Sequence, residues 1–170
     1  VDMLTPAKKE EKEIKARSME YIILAIEEIR KLSKELVMPQ LIGNGLVDSI
    51  CTLIDDIHAS NVLTIKFTHD EESELLSQGK KVTLFRIVQE QLKNILKYSK
   101  AKQTEISLYS KDGHTHLVIK DEGIGFDTQQ TRRGIGLSNI YERTRFYNGT
   151  VDIQSAPGKG CTLRVIVPTS

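Results

Sequence analysis

Tryptophan is absent from these 170 residues, and the aromatic residues together reach only 5%. Cysteine is nearly as scarce. Cys51 and Cys161 stand far apart, with no C-x-x-C and no Cys/His ligand spacing, so a zinc or redox motif is excluded. Both sit among apolar neighbours and are expected to be small buried hydrophobes in a reducing cytosol. No apolar run approaches the roughly 20 residues that cross a bilayer. The N-terminus is polar and rich in Lys and Glu, without the pattern of a signal peptide. An excess of one charge is also missing: the net charge is +1, with acids and bases interspersed. Nothing in that balance calls for direct contact with nucleic acid or an acidic membrane surface. The expected location is the cytoplasm, with an inner-membrane anchor of the parent protein left open. There is no internal repeat and no low-complexity segment.

What is present is ordinary globular composition, 39% apolar and 28% charged. Residues 8–36 read as a helix stopped by Pro39. Met19, Ile22, Ile26, Ile29 and Leu36 fall on a and d positions of one heptad frame, interrupted by Ser33. So narrow a stripe fits a helix in a bundle. Leu46–Ile57 has helical periodicity, and Val62–Thr68 alternates as a strand. A polar acidic loop, Asp70–Lys80, precedes a strongly periodic helix over Val82–Tyr98. Thr104–Ser110 and His114–Lys120 read as strands joined at Lys111-Asp112-Gly113. A Gly-rich stretch, Asp121–Gly136, leads to a helix over Leu137–Tyr147. Thr150–Gln154 and Thr162–Val167 close the chain as a hairpin around Pro157-Gly158-Lys159-Gly160. Hairpins dominate and helices do not alternate singly with strands. The expected fold is α+β, a two-layer sandwich of a mixed sheet with its helices on one face.

Three features carry chemistry. Glu90, Asn94 and Lys97 are spaced i, i+4, i+7, which puts them on one helix face, bordered by Tyr98. Glu and Asn oxygens are hard ligands suited to Mg²⁺ or its waters, and a lysine ammonium meets phosphate as a point charge. Taken alone, such a stripe is more often a solvated face. Second, Asp121-Glu122-Gly123-Ile124-Gly125 ends an apolar strand. A carboxylate there can accept a hydrogen bond from an exocyclic amine, and the glycines free the backbone for close approach. Third, Gly134-Ile135-Gly136-Leu137 opens a helix whose first amides would make an anion site. The sequence holds no G-x-x-x-x-G-K-[ST]; Gly158-Lys159-Gly160 lies in a hairpin turn with no helix after it. Nor is there a dinucleotide fingerprint, which disfavours both P-loop and Rossmann enzymes.

The runs FRIVQEQLKNILKYSKA (residues 85–101), DEGIGFD (121–127) and RGIGLSNIYERTRFYNGTVDIQSAPGKGCTLRVIVP (133–168) resemble the Bergerat or GHKL ATP-binding fold. More narrowly they resemble sensor histidine kinases that pair with LuxR-type response regulators. Residues 29–46 (IRKLSKELVMPQLIGNGL) resemble the end of the dimerisation helix and its connection. That resemblance implies residues 1–38 as the end of a helical dimerisation bundle and 39–170 as the catalytic domain. It implies ATP and Mg²⁺, with Asn94 on the metal and Glu90 orienting it or a water, or acting as base. Lys97 and Tyr98 would face phosphate and the nucleotide wall. Asp121 would hold the adenine amine, with Thr162 near the same ring. Gly123 and Gly125 would hinge a polar lid over Phe126–Arg133, and Gly134, Gly136 and Leu137 would close it. Glu122 stands where this family often has Asn.

The same resemblance demands a phosphate-accepting histidine on a bundle helix. His58, His69, His114 and His116 are the only histidines, and none falls on such a helix. The acceptor is therefore expected outside these residues, on a dimerisation helix of the same protein. The implied partners are that helix, a second copy forming the homodimer, and a response regulator. Competing readings are a GHKL ATPase clamp in which Glu90 activates water, a nucleotide-sensing or scaffolding module without kinase activity, and a serine kinase of the same fold.

Overall fold

Alternation of side chains along five strands decides which face of the sheet becomes the core. In the computed structural model, which describes residues 45–128 and 135–170, the strands are β1 (Thr64–His69), β2 (Gln103–Lys111), β3 (His114–Asp121), β4 (Thr150–Ser155) and β5 (Cys161–Pro168). Their order across the sheet is β1-β2-β3-β5-β4. The pair β1/β2 is parallel and the others are antiparallel, so the sheet is mixed. The expected helix over residues 8–36, and with it the segment 1–38, lies outside the described residues.

The register aligns inward residues in rows. Phe67, Ile106, Ile119, Leu163 and Ile153 form one row across all five strands. Leu108, Leu117, Val165 and Val151 form the next. Ile106, Ile119, Leu163, Leu108, Leu117 and Val165 are fully buried. The opposite face carries Lys66, Glu105, Lys120 and Arg164, all exposed. One apolar face and one wet face are what an antiparallel-rich sheet with a single helical layer requires.

That layer consists of α1 (Gly45–His58), α2 (Gln78–Asn94) and α3 (Ile135–Phe146). Helix α1 turns Leu46, Ile50 and Ile54 inward at four-residue spacing. Leu84, Ile87, Val88 and Leu92 of α2 join the same core. Between β1 and α2 the polar loop contains a short 3₁₀ turn, Glu72–Leu75, and the α-helix starts at Gln78, four residues ahead of the periodic signal. Hydrogen bonding extends the helix beyond the apolar pattern, as is usual at a helix end. Cys51 is exposed, contrary to expectation, because it falls on the outer face of α1; Cys161 is buried as expected.

His58 has a structural role: its Nε2 accepts the Ile65 amide at 2.9 Å, joining the end of α1 to β1. Asp70 joins the sheet to the turn before α2. Its Oδ1 accepts the Ser73 amide at 2.9 Å and its Oδ2 the Ser110 amide at 2.7 Å. Asp70→Ala strands both donors and is expected to destabilise the domain by about 1–3 kcal/mol, read as a lower midpoint at unchanged slope in urea unfolding.

Candidate nucleotide site

Two apolar rows give way to a polar one where β3 ends. Ile65, Thr104, Asp121, Cys161 and Ser155 stand in register across the sheet on its inner face. Asp121 is only 2% exposed. Burial raises its carboxyl above the ordinary 3.8, opposed by the Gly123 amide on Oδ1 at 2.9 Å and by a hydrogen bond from the Ser99 hydroxyl. The Cys161 thiol is pushed up to about 11 by burial and by the Asp121 charge, so it stays neutral. The Thr104 hydroxyl is buried with no hydrogen-bond partner among the described residues. This end of the sheet therefore keeps polar capacity that the protein itself does not use.

The loop after Asp121 is tied down on two sides. The Ile124 amide donates to the Ser99 carbonyl at 2.7 Å, and the Ile124 carbonyl accepts the Gly158 amide at 2.6 Å. The Phe126 amide donates to the Ser155 hydroxyl at 2.9 Å, and that hydroxyl donates to the Gly160 carbonyl at 2.7 Å. Gly125 has φ +60°, and a side chain there would run into the Ala156 carbonyl. Only glycine satisfies both conditions.

The end of α2 supplies the second wall. The α-helix stops at Asn94 and continues as a π turn, Ile95–Ser99, closed by Lys100 in the left-handed region at φ 56°. The wider coil slows the rotation of each successive residue, and such insertions recur at functional sites. The periodic helix signal over Val82–Tyr98 is thus continuous in sequence but changes pitch at Asn94. Lys97 Nζ lies 5.1 Å from the centroid of the Tyr98 ring, a cation–π contact. Glu90 pairs with Lys93 at 3.7 Å. A side chain at Gly136, in the first turn of α3, would strike the Glu90 carboxylate. The second G-x-G thus has a packing reason of its own.

Between these walls lies a cavity of about 710 Å³, within the range of small-molecule sites. Glu90, Asn94, Lys97, Tyr98, Asp121, Gly125, Gly136 and Leu137 all line it. Gly134 and most of the expected lid, including Arg132 and Arg133, lie outside the described residues. Gly123 is not in the lining; it holds Asp121 from behind. Thr162 is corrected. It pairs with Lys120 and points to the wet face of the sheet, while its neighbour Cys161 lines the cavity. Side chains alternate along a strand, so a one-residue error moves a residue to the wrong face. Gln91, 4% exposed, Ser99 and Cys161 line the cavity without having been singled out as site residues from sequence. The dense helical pattern around Gln91 and Ser99 concealed them.

Residues 79–170, more than half of the chain, match the family described as histidine kinase-, DNA gyrase B- and HSP90-like ATPase. The chain belongs to that family. ATP is therefore the ligand class to test against the cavity. The donor set fits: a buried carboxylate at the end of β3, and oxygens and an ammonium from α2 at the far wall. Among curated relatives, the chain is 32% identical over 142 residues to the sensor histidine kinase LiaS of Bacillus subtilis, covering 83% of this chain and 39% of that one. It is 27% identical over 145 residues to the histidine-protein kinase/phosphatase DegS of Brevibacillus brevis, covering 85% and 38%. The chain thus spans under two-fifths of either relative. Among solved structures, the Erythrobacter litoralis blue-light activated histidine kinase superposes with TM-score 0.66 at 13% identity, covering 100% of this chain and 62% of that one. The Acinetobacter baumannii histidine kinase AdeS superposes with TM-score 0.61 at 16% identity, covering 89% and 84%. These likenesses establish the sheet-and-helix fold. No described helix is long and apolar enough to cross a membrane.

The raised Asp121 carboxyl sets a sign. The native state holds this proton more tightly than the unfolded chain, so its contribution is complete below about pH 3.8 and is lost as pH rises through the higher native value. At pH 7 the buried charge is a cost to the ligand-free fold. Asp121→Asn, which can keep the Gly123 bond, is expected to match or exceed the wild-type melting temperature at pH 7. The comparison is made by calorimetric melts without nucleotide at pH 7 and pH 5; the advantage of the variant shrinks at the lower pH.

Proposed function

We propose that this chain is the Mg·ATP-binding catalytic domain of a sensor histidine kinase. It would transfer the γ-phosphate of ATP to a histidine that lies outside these residues. One observation carries the reading: a single cavity connects a buried strand-end carboxylate to the Glu90, Asn94 and Lys97 stripe. The first group is suited to the amine edge of adenine, the second to a metal-bound polyphosphate.

In this reading the Asp121 carboxylate accepts the exocyclic amine, and Tyr98 offers an aromatic wall. Asn94 and Glu90 would hold Mg²⁺. No group of three His, Cys, Asp or Glu side chains able to cage a metal occurs among the described residues. Such sparse ligation suits Mg²⁺, which retains waters and completes its shell with substrate phosphates. When bound, the metal supplies neutralisation of phosphate charge. Lys97 adds a positive charge from the same wall, and Glu90 orients the metal or a water, or acts as base. The first turn of α3, with Gly134 and Gly136, would close on the phosphates, and Gly123 and Gly125 would hinge the lid. Catalysis is then mainly positioning and charge neutralisation.

The acceptor would sit on a dimerisation helix of the same protein, with residues 1–38 as the end of that bundle and a homodimer as the working assembly. The phosphate would pass to a response regulator, of the LuxR-type class by resemblance. The relatives LiaS and DegS are named as histidine kinases, which supports the kinase part of the reading.

Calorimetric titration of Mg·ATP is the test. Wild type is expected to bind, and Asp121→Asn to lose roughly tenfold or more in affinity, the scale of a hydrogen bond to a charged group. Asn94→Ala is expected to lose the dependence on Mg²⁺. An acceptor helix supplied in trans should then become phosphorylated. Absence of binding at millimolar nucleotide would defeat the assignment in favour of a scaffold. Steady ATP hydrolysis without an acceptor would favour a hydrolase.

A further inference from the structure

The last residue of the π turn makes three connections at once. The Ser99 carbonyl accepts the Ile124 amide at 2.7 Å. Its hydroxyl oxygen accepts the Ala101 amide at 3.0 Å. The same hydroxyl hydrogen-bonds to the Asp121 carboxylate. The spacing at Gly123 confirms how closely these groups converge. A side chain added there would stand 2.6 Å from Ser99 Cβ and 2.8 Å from Asp121 Oδ1.

We infer that Ser99 is the positioning residue that turns the Asp121 carboxylate to receive the exocyclic amine of adenine. The inference rests on the reading of this cavity as a nucleotide site. A serine hydroxyl carries one proton and two acceptor sites, whereas an ionised carboxylate only accepts. The Ala101 amide occupies one acceptor site of the hydroxyl and fixes its rotation. Its proton is then directed to Asp121, so the direction of the bond is set by the backbone. The Gly123 amide holds Oδ1 from a second direction, at 2.9 Å. Two protein donors leave about two of the four carboxylate lone-pair sites for a ligand. They also oppose the upward pull of burial on this carboxyl and so favour its ionised form, the stronger acceptor for an amine.

The groups around Asp121 do not duplicate this role. Cys161, in register on β5, is neutral. Thr104, in register on β2, is neutral and makes no bond to the carboxylate. Among the described residues Ser99 is the one side chain that hydrogen-bonds to Asp121; the other donor is the Gly123 backbone. Its place depends on the π turn, since an uninterrupted α-helix would carry residue 99 further round the axis. The helix that supplies the phosphate-end residues thereby also sets the base-end carboxylate.

The experiment compares ATP with inosine triphosphate, which has an oxo group in place of the exocyclic amine. Both are titrated by calorimetry into wild type, Ser99→Ala, Ser99→Thr and Asp121→Asn. Wild type should prefer ATP. Ser99→Ala should lower ATP affinity by about tenfold, the scale of one bond to a charged group, with inosine triphosphate affinity held within about twofold. Ser99→Thr, which retains the hydroxyl, should restore the preference. If Ser99→Ala does not fold, Ser99→Cys, similar in shape and a much weaker donor, is read in its place. Equal loss of both nucleotides would make Ser99 a structural residue and overturn the inference. So would a full preference retained in Ser99→Ala while Asp121→Asn abolishes it. A wild type that binds both nucleotides equally overturns the reading of the base end itself, and this inference with it.

Discussion

An ionisable carboxylate buried where the sheet's apolar face ends is the constraint around which the cavity is organised. Leaving Asp121 charged in that position is costly unless donors surround it, and without them burial would favour the protonated, neutral carboxyl instead. Among the described residues the requirement is met by a backbone amide and a hydroxyl rather than by a counter-charge. The Gly123 amide and Ser99 hydroxyl hold the carboxylate, and the loop bearing Gly123 is fixed to the Ser99 carbonyl and to the Gly158 amide. Among the described residues no cation pairs with Asp121, so the carboxylate retains acceptor capacity for a ligand. A salt bridge would have stabilised the charge and consumed the site.

The same economy governs α2. Its inward residues, Leu84, Ile87, Val88 and Leu92, fix the helix on the sheet. Its other side presents Glu90 and Asn94 from α-helical turns, then Lys97, Tyr98 and Ser99 from the π turn. One element thus spans the cavity from Glu90 and Asn94 to Ser99, which supports the Asp121 carboxylate. Movement of α2 relative to the sheet would disturb both ends together.

The apparent lack of a phosphate acceptor is also intelligible in structural terms. His58 is committed to the Ile65 amide, His69 ends β1, and His114 and His116 lie on β3. None of these positions presents an imidazole on a free helix face.

The sequence by itself determined the order of elements, the inward rows of the sheet and the family. Each depends on local periodicity or on contiguous motifs, and both are written along the chain. Val62–Thr68 and Thr162–Val167 differ from β1 and β5 only at their ends, where hydrogen bonding and not hydrophobicity sets the boundary. Glu90, Asn94, Lys97, Tyr98, Asp121, Gly125, Gly136 and Leu137 were legible as candidates and do meet at one cavity. Thr162 was misplaced because alternation fixes a face only once the register is known, and Cys161 took the inward position. Ser99 and the change of pitch at Asn94 were invisible, since a π turn leaves no distinct periodic mark over five residues. Only the tertiary structure decided that this serine meets Asp121, because residues 22 apart come together through the packing of a helix end against a strand end.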